Sequence, residues 1–148
     1  MSLETLFRFA SYSVVPFWLL LIFAPRWAWT GRLVHGPVLL LLLTPIYAYM
    51  LFGYGAAPEG MDLRSLYGLM VGFSAPPIAV AGWIHYLIFD LFVGAWETRD
   101  AQRRGVPHLL VIPCLIATLV VGPIGLLFYV LVRFFHQRVL EYDEAGTL

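Results

Sequence analysis

Residues 82–100 read GWIHYLIFDLFVGAWETRD, and this stretch decides how the rest of the chain is interpreted. It begins inside a long apolar segment and ends among charged residues. His85 and Asp90 lie near the middle of a run that is otherwise suited to a membrane helix. Ionisable groups at that depth are costly, so they usually face a protein interior or a water-filled cavity. The stretch therefore predicts a membrane helix that carries a functional site.

The composition predicts an integral membrane protein. Of the 148 residues, 61% are hydrophobic and 12% are charged, whereas a soluble domain is about 45–50% apolar and about 25% charged. The net charge is zero, which gives no long-range field to attract a polyanion. We therefore expect membrane lipids as partners, and no nucleic acid.

Four apolar segments predict the fold, because each is long enough to cross a bilayer as a helix. We expect an all-α integral membrane protein in which four transmembrane helices form a compact bundle, as a single domain over residues 1–148. Residues 63–74 have helical spacing but are too short to span. They predict a short interfacial or re-entrant helix between helices two and three. The approximate bounds of the spans are residues 3–24, 34–54, 78–100 and 107–135.

Polar residues of the third helix share one side of a helical wheel. At about 100° per residue, one His and three acids fall within an arc of about 140°. Their side chains would therefore point in similar directions along the helix. The members of this arc are His85, Asp90, Glu97 and Asp100.

The opposite side of the third helix carries Ile84, Leu87 and Leu91, and we expect it to face lipid. A carboxylate that faces hydrocarbon has neither water nor a partner, whereas a protein interior supplies both. Asp90 is therefore expected to point into the bundle, with His85 on the same interior side.

The third and fourth helices are expected to meet across a tight turn at residues 105–107. His108 lies one residue into the fourth helix, and the turn brings it back towards Glu97 and Asp100. A Gly-Pro pair at residues 122–123 is expected to kink that helix. The polar arc and His108 thus predict one polar seam between two helices.

Two sets of candidate site residues follow from this seam. The polar residues could transfer protons, and the aromatic residues around them could line a long apolar pocket. The candidate catalytic residues are His85, Asp90, Glu97, Asp100 and His108. The candidate substrate-binding residues are Trp83, Tyr86, Phe89, Trp96, Tyr12 and Tyr47.

A hydroxyl or guanidinium group is expected within hydrogen-bond distance of Asp90, about 2.7–3.2 Å. A pocket is expected to touch His85 or Asp90 and to open sideways to the bilayer, since an apolar substrate would enter from lipid. The candidate hydrogen-bond partners of Asp90 are Arg8, Ser11, Tyr12, Tyr47, Tyr49 and Thr118.

A purely structural network is the alternative interpretation of the seam. A polar contact between membrane helices contributes about 0.6 kcal/mol on average, whereas a carboxylate at mid-depth costs roughly 2.5–3.5 kcal/mol. One contact does not offset that cost, so Asp90 and His85 favour function. Glu97, Asp100 and His108 lie nearer the membrane surface, where either interpretation holds.

Metal binding is a second alternative, because His and carboxylate side chains ligate zinc and iron. The spacing, however, is not the i, i+3 or i, i+4 His pairing of helical metal motifs. We therefore expect no metal.

Short motifs in the second half of the chain are similar to a known family. Trp-Ile-His at residues 83–85, Asp-Leu-Phe at 90–92, Asp100, His108 and Gly-Pro-Ile-Gly at 122–125 resemble the abscisic-acid-deficient-four-like family. This is the small membrane protein family of plant neoxanthin synthase.

The resemblance covers roughly residues 82–131, and the first half matches only in being hydrophobic helices. It implies carotenoid chemistry, in which an isomerase opens an epoxide to an allenic alcohol without a cofactor. Because the chain shows no transit peptide, we expect a bacterial member in the inner membrane.

Acid–base chemistry of this kind needs one group that protonates the epoxide oxygen and another that removes a proton. Asp90 is assigned as the acid and His85 as the base, and the sequence leaves the two roles exchangeable. The chain is thus interpreted as an isomerase acting on a carotenoid or another apolar isoprenoid.

Two other functions stay open, and the chain could work as a homo-oligomer in any of the three. One is a non-catalytic protein that binds carotenoid or lipid, or assists its assembly. The other is a conduit for protons or small solutes along the polar seam.

Overall fold

A computed structural model of the chain describes residues 2–138, and the described part is helical with short loops. The single-domain prediction also covers residues 1 and 139–148, which lie outside the described part. The helices are α1 (Leu3–Ser13), α2 (Val15–Phe23), α3 (Ala28–Leu33), α4 (Val38–Ala48), α5 (Leu66–Ser74), α6 (Pro76–Arg103), α7 (His108–Val121) and α8 (Pro123–Gln137).

Three helical segments are long and apolar enough to cross a membrane: Leu3–Phe23, Ala28–Gly53 and Pro76–Arg103. They correspond to the first three predicted spans, although the second begins six residues earlier than its predicted start at residue 34. At 1.5 Å per residue, the 28 residues of α6 extend about 42 Å, more than the roughly 30 Å hydrocarbon core. The chain is therefore built as a membrane protein.

Local sequence explains where several helices begin. The Ser2 hydroxyl accepts a hydrogen bond from the Thr5 amide at 3.1 Å, and Ser65 caps α5 through the Gly68 amide at 3.0 Å. Serine is favoured at these positions because the first amides of a helix lack backbone acceptors. Pro76 begins α6, where its missing N–H leaves no bond unmade.

The second span changes its helical winding after a proline. Pro45 lies inside α4, and the next segment, Tyr49–Gly53, is π-helical. Proline removes one backbone donor, and short π segments within α-helices are frequent at functional sites. Tyr47 and Leu51, on either side of the start of this π segment, both line a cavity described below.

The prediction of a fourth spanning helix is not confirmed. Residues 107–135 form two helices of 14 and 15 residues, α7 and α8. Each is about 21–23 Å long, shorter than the hydrocarbon core. The chain between them turns at Gly122, whose φ is +50°. Gly122-Pro123 is thus a break between two helices and not a kink within one.

Hydrogen bonds to α6 establish that α7 and α8 form a helical hairpin. Thr118 in α7 bonds Glu97 at 2.9 Å. Gln137, at the end of α8, donates to the Arg104 carbonyl at 2.6 Å. Since α7 starts and α8 ends beside the same end of α6, the second helix reverses the direction of the first.

Two glycines permit this reversal. A β-carbon on Gly122 would lie 3.1 Å from Asp90 Oδ1, and its positive φ is a conformation that other residues rarely adopt. A β-carbon on Gly125 would collide with the Thr118 backbone. The Gly-Pro-Ile-Gly motif therefore lets α8 approach both α7 and the Asp90 carboxylate closely.

The buried side of α6 differs from the prediction. Ile84, Leu87 and Leu91, expected to face lipid, are buried at 0%, 5% and 3% exposure, whereas His85 is exposed. The interior placement predicted for His85 is therefore wrong. The buried apolar residues recur every three or four positions, so they form the packed face of the helix.

The described chain divides into two compact units. Unit 1 contains residues up to 15 and residues 37–89, and unit 2 contains residues 16–36 and those from 90 onward. His85 belongs to the first and Asp90 to the second. The predicted short helix is α5 in unit 1, and its location at a membrane interface stays a prediction.

Candidate functional site

An apolar cavity of about 360 Å³ lies within unit 1 and reaches His85. Two of its lining side chains, His85 and Tyr47, carry a ring nitrogen or a hydroxyl, and the others are apolar. The expected cavity at His85 is confirmed, and its opening towards lipid stays a prediction. The lining residues are Tyr47, Leu51, Met61, Leu63, Leu69, Gly72, Phe73, Ile78, Ala81, Gly82 and His85.

Aromatic rings orient the His85 imidazole. The ring centroid of Phe89, one turn further along α6, is 4.4 Å from that of His85. The Tyr47 ring lies 6.2 Å away on the second span. Rings at these separations pack favourably, so the imidazole is bounded on two sides by aromatic side chains.

A second aromatic cluster in unit 1 surrounds Trp83. Its indole Nε1 donates to the Ser11 hydroxyl at 2.9 Å. The Tyr86 ring stacks on it at 5.3 Å, and the Phe7 ring lies 5.7 Å away. Tyr12 is 72% exposed. Trp83, Tyr86 and Tyr12, all predicted to bind substrate, are thus outside the lining of the His85 cavity. Of the predicted substrate-binding residues, Tyr47 is the one in that lining.

Asp100 is the centre of a buried network in unit 2. Its Oδ2 accepts from the Tyr129 hydroxyl at 2.6 Å and from Arg133 Nη1 at 3.2 Å. Its Oδ1 accepts from Arg104 Nε at 2.9 Å. Charge-assisted bonds of this kind are about twice as strong as neutral ones, so Asp100 ties α6 firmly to α8.

Arg133 and Trp96 enclose the same carboxylate. Arg133 is fully buried, and its guanidinium lies 5.8 Å from the centre of the Trp96 ring. The Tyr129 ring meets Trp96 edge to face at 5.5 Å. A buried guanidinium is stable only beside a counter-charge, which Asp100 supplies. Trp96, predicted to bind substrate, here packs against the network.

Glu97 forms a separate bond from α6 to α7. Its carboxyl is fully buried, and Oε1 accepts from the Thr118 hydroxyl at 2.9 Å. Within residues 2–138, the second oxygen, Oε2, is buried without a hydrogen-bond partner. Thr118 was predicted as a candidate partner of Asp90, and the observed bond places it at Glu97.

Asp90 is buried in unit 2, 9% exposed, beside the turn at Gly122. The prediction that Asp90 points away from lipid into the protein therefore agrees with its burial. Asp90 is not among the residues that line the His85 cavity. A hydrogen bond from one of the predicted donors to Asp90 stays a prediction.

His108 has a local structural contact. Its Nε2 donates to the Ile22 carbonyl at 2.9 Å, a group near the end of α2 that has no amide partner further along that helix. Terminal carbonyls of this kind need an outside donor. The imidazole therefore supplies a bond that fastens α7 to α2 within unit 2.

The structure thus groups the predicted catalytic residues differently from the sequence. Glu97 bonds α7 and Asp100 separately bonds α8, while His85 lines the cavity of unit 1. Within residues 2–138, no three His, Cys, Asp or Glu side chains are grouped closely enough to hold a metal ion. The absence of a metal stays a prediction, as does every catalytic role.

Tyr129 and Arg133 are the network residues that the sequence analysis missed. They are four residues apart in an otherwise apolar helix, so they share one face of α8. An arginine inside such a helix is rare and usually pairs with an acid. That pattern was a usable signal, and three buried acids on α6 were its available partners.

The features described above are those of a helical membrane protein. They are long apolar helices, a helical hairpin, a buried acid–arginine network and an apolar cavity. The profile of the ABA DEFICIENT 4-like family matches residues 5–129. The chain therefore belongs to that family, and the resemblance seen in its motifs is confirmed.

One curated relative is Protein ABA DEFICIENT 4, chloroplastic, from Arabidopsis thaliana, which is 28% identical over 111 residues. The match covers 70% of this chain and 50% of the relative, so the chain spans about half the length of that protein. No solved structure matches the chain.

Proposed function

We propose that the protein binds a carotenoid or another apolar isoprenoid in the His85 cavity and isomerises it by acid–base chemistry. The observation that carries this proposal is the cavity lining, which is apolar apart from His85 and Tyr47. Ligand sites commonly combine such a lining with a few polar groups that orient the ligand.

The size of the cavity favours one end of a long lipid. Small-molecule pockets measure about 300–1,000 Å³, and the volume of about 360 Å³ is at the lower end. A carotenoid would place one ring in the cavity and leave its polyene chain outside. Because two of the helices that line the cavity belong to segments of membrane-spanning length, the polyene of the carotenoid could remain in the bilayer.

His85 can perform both proton transfers of an epoxide opening. The protonated imidazole gives its proton to the epoxide oxygen as the C–O bond breaks. The neutral imidazole then takes a proton from a neighbouring carbon, whose electron pair forms the new double bond. The proposal assigns the Tyr47 hydroxyl, which lines the same cavity, as a hydrogen-bond donor to that oxygen. Atoms and electrons balance, so the step is an isomerisation.

This assignment changes the role predicted for Asp90. A general acid must come within about 2.6–3.2 Å of the atom it protonates, directly or through one water. Asp90 does not line the cavity, so the proposal assigns direct proton transfer to His85.

The test is pigment analysis in bacteria that accumulate epoxidised carotenoids. Expression of the wild type is expected to convert an epoxide into an isomer of equal mass, separated by chromatography. His85→Gln is expected to abolish conversion. His136→Gln changes an exposed histidine outside the cavity and is the matched control, expected to retain conversion. A wild type that leaves epoxidised and plain carotenoids unchanged would exclude the isomerase.

A non-catalytic carotenoid-binding or assembly protein is the second candidate. The observation in its favour is that Asp100 already accepts three hydrogen bonds from the protein, so this acid is occupied structurally. In that case the same ligand would co-purify, chemically unchanged, with the wild type and with His85→Gln. Product that depends on His85 would exclude this function.

The proposal includes a location in a bacterial inner membrane. The three helices long enough to span a bilayer support the membrane part of this proposal. Fractionation of the source cells would test it, because recovery outside the inner membrane contradicts the assignment.

A further inference from the structure

Ionisable groups are distributed unevenly over the surface of unit 2. In its described part, residues 16–36 and 90–138, the three carboxylates, Asp90, Glu97 and Asp100, are all buried. Arg26, Arg32, Arg103 and Arg138 are exposed. The described surface of this unit therefore carries positive charge without exposed carboxylates to offset it, although the whole chain is neutral.

Hydrogen bonds bring the basic segments together. Gln102, near the end of α6, donates to the Pro25 carbonyl at 2.9 Å, and residue 26 follows directly. Arg99 Nη1 lies 3.5 Å from His35 Nδ1. Arg26 in the loop before α3, and Arg32 within α3, are thus attached to the end of α6 that contains Arg103.

Two tryptophans accompany these arginines. Trp27 and Trp29 are 54% and 48% exposed, and the Arg32 guanidinium lies 5.2 Å from the Trp29 ring centre. Exposed indoles beside arginine are typical of the boundary between hydrocarbon and head groups. The tryptophans therefore indicate that this end of unit 2 lies at the level of lipid phosphates.

Unit 1 gives an internal comparison. Its exposed Arg8 bonds Glu4 at 2.6 Å, and the loop with exposed Arg64 also contains Glu59 and Asp62. Both signs of charge are present there, so their fields largely cancel. Within residues 2–138, the surface of unit 2 is the one that offers an anion an excess of guanidinium groups.

We propose that this basic surface, defined as Arg26, Arg32 and Arg103 with Trp27 and Trp29, binds the phosphate head groups of anionic phospholipids. Guanidinium groups donate paired hydrogen bonds to phosphate oxygens. Arg103 also reaches Asp100 at 3.7 Å, but its side chain is 41% exposed and accessible to a head group. The proposal is independent of the His85 cavity and goes beyond the proposed function.

The test compares lipid retention by the purified full-length protein. Wild type and variants are extracted from membranes that contain phosphatidylcholine and phosphatidylglycerol, and retained lipids are counted by native mass spectrometry. The wild type is expected to prefer phosphatidylglycerol. Arg26→Gln with Arg32→Gln is expected to lower that preference roughly 25-fold, since each of the two cations contributes about fivefold near an anionic surface. Added salt should reduce it in the wild type.

Two further variants make the result specific. Arg8→Gln with Arg64→Gln removes two exposed arginines from unit 1 and is expected to leave the preference unchanged. Arg26→Lys with Arg32→Lys keeps the charge and is expected to restore most of it, which separates lost binding from lost folding. Equal preference in the wild type and the glutamine variant, or an equal loss in the unit 1 control, overturns the proposal. Displacement of phosphatidylglycerol by an equal concentration of inorganic phosphate would likewise overturn it, by establishing a phosphate site.

Discussion

Asp100 sets the energetics of the buried network at the scale of single residues. One carboxylate accepts from Tyr129, Arg133 and Arg104, so it joins α8 to α6 at the point where a guanidinium is buried. Buried ion pairs require such additional hydrogen bonds because desolvation opposes them. This geometry is that of a hydrogen-bond network that stabilises the packing of two helices.

Removal of the Tyr129 hydroxyl measures how much one hydrogen bond of this network contributes to stability. Tyr129→Phe keeps the edge-to-face contact with Trp96 but loses the donor to Asp100. Hydrogen bonds to charged groups contribute about 1.5–3 kcal/mol, and we expect the free energy of unfolding to fall by that amount. Denaturant titration in detergent micelles measures it. Tyr12→Phe, with an exposed ring, is the control, and equal effects of the two variants would contradict the prediction.

Residue types alone indicated which acids lie inside the protein, but not the environment of each. Asp90 and Glu97 are buried, as expected from the cost of charge in hydrocarbon. His85 is exposed because its direction depends on which face of α6 packs. The packed face of α6 is set by contacts with other helices, and a helical wheel of α6 alone does not show those contacts.

At the scale of elements, the hairpin of α7 and α8 is the main departure from the predicted bundle. Helix boundaries were predictable where apolar runs end at proline, glycine or charge. Gly122-Pro123 was recognised as an interruption, but a kink and a reversal have the same local sequence signal. Close approach of Gly125 to Thr118 and the bonds to α6 select the reversal.

Gly122→Ala tests the turn of the hairpin. A β-carbon there would meet Asp90 Oδ1 at 3.1 Å, on a residue with positive φ. Backbone strain of this type costs about 1–3 kcal/mol, so the free energy of unfolding is expected to fall by a similar amount. Thermal unfolding in detergent provides the measurement.

The matched control is Gly31→Ala in α3, where an added β-carbon meets no atom within 4 Å. Alanine favours a helix over glycine by about 0.5–1 kcal/mol, so this variant should be neutral or more stable. A Gly122 variant as stable as the Gly31 variant would refute the strained turn.

At the scale of the whole molecule, the hairpin changes the expected membrane topology. The end of α8 lies beside the end of α6, where Gln137 bonds the Arg104 carbonyl. Residues on both sides of the hairpin should therefore emerge from the same face of the membrane. A fourth spanning helix would place them on opposite faces.

Cysteine labelling distinguishes the two topologies. In a Cys114→Ser background, Pro107→Cys and His136→Cys are expected to react with an impermeant maleimide from the same side of sealed vesicles. Both positions are exposed. Glu59→Cys, in the loop that precedes α5 and α6, should react from the other side because α6 crosses between them. Opposite labelling of residues 107 and 136 would contradict the hairpin.

The sequence by itself determined that the chain is a helical membrane protein, where its first three spans lie, and which family it belongs to. These properties depend on hydropathy, helix breakers and local motifs, each of which is encoded over a few neighbouring residues.

Only the tertiary structure decided which side of α6 is packed and that residues 108–137 fold back. In a soluble protein, polar residues mark the exposed face of a helix. In a bilayer, the lipid and the protein core are both apolar, so Ile84 and Leu91 fit either environment by composition. Helix contacts decide between those environments, and they depend on residues far apart in the chain.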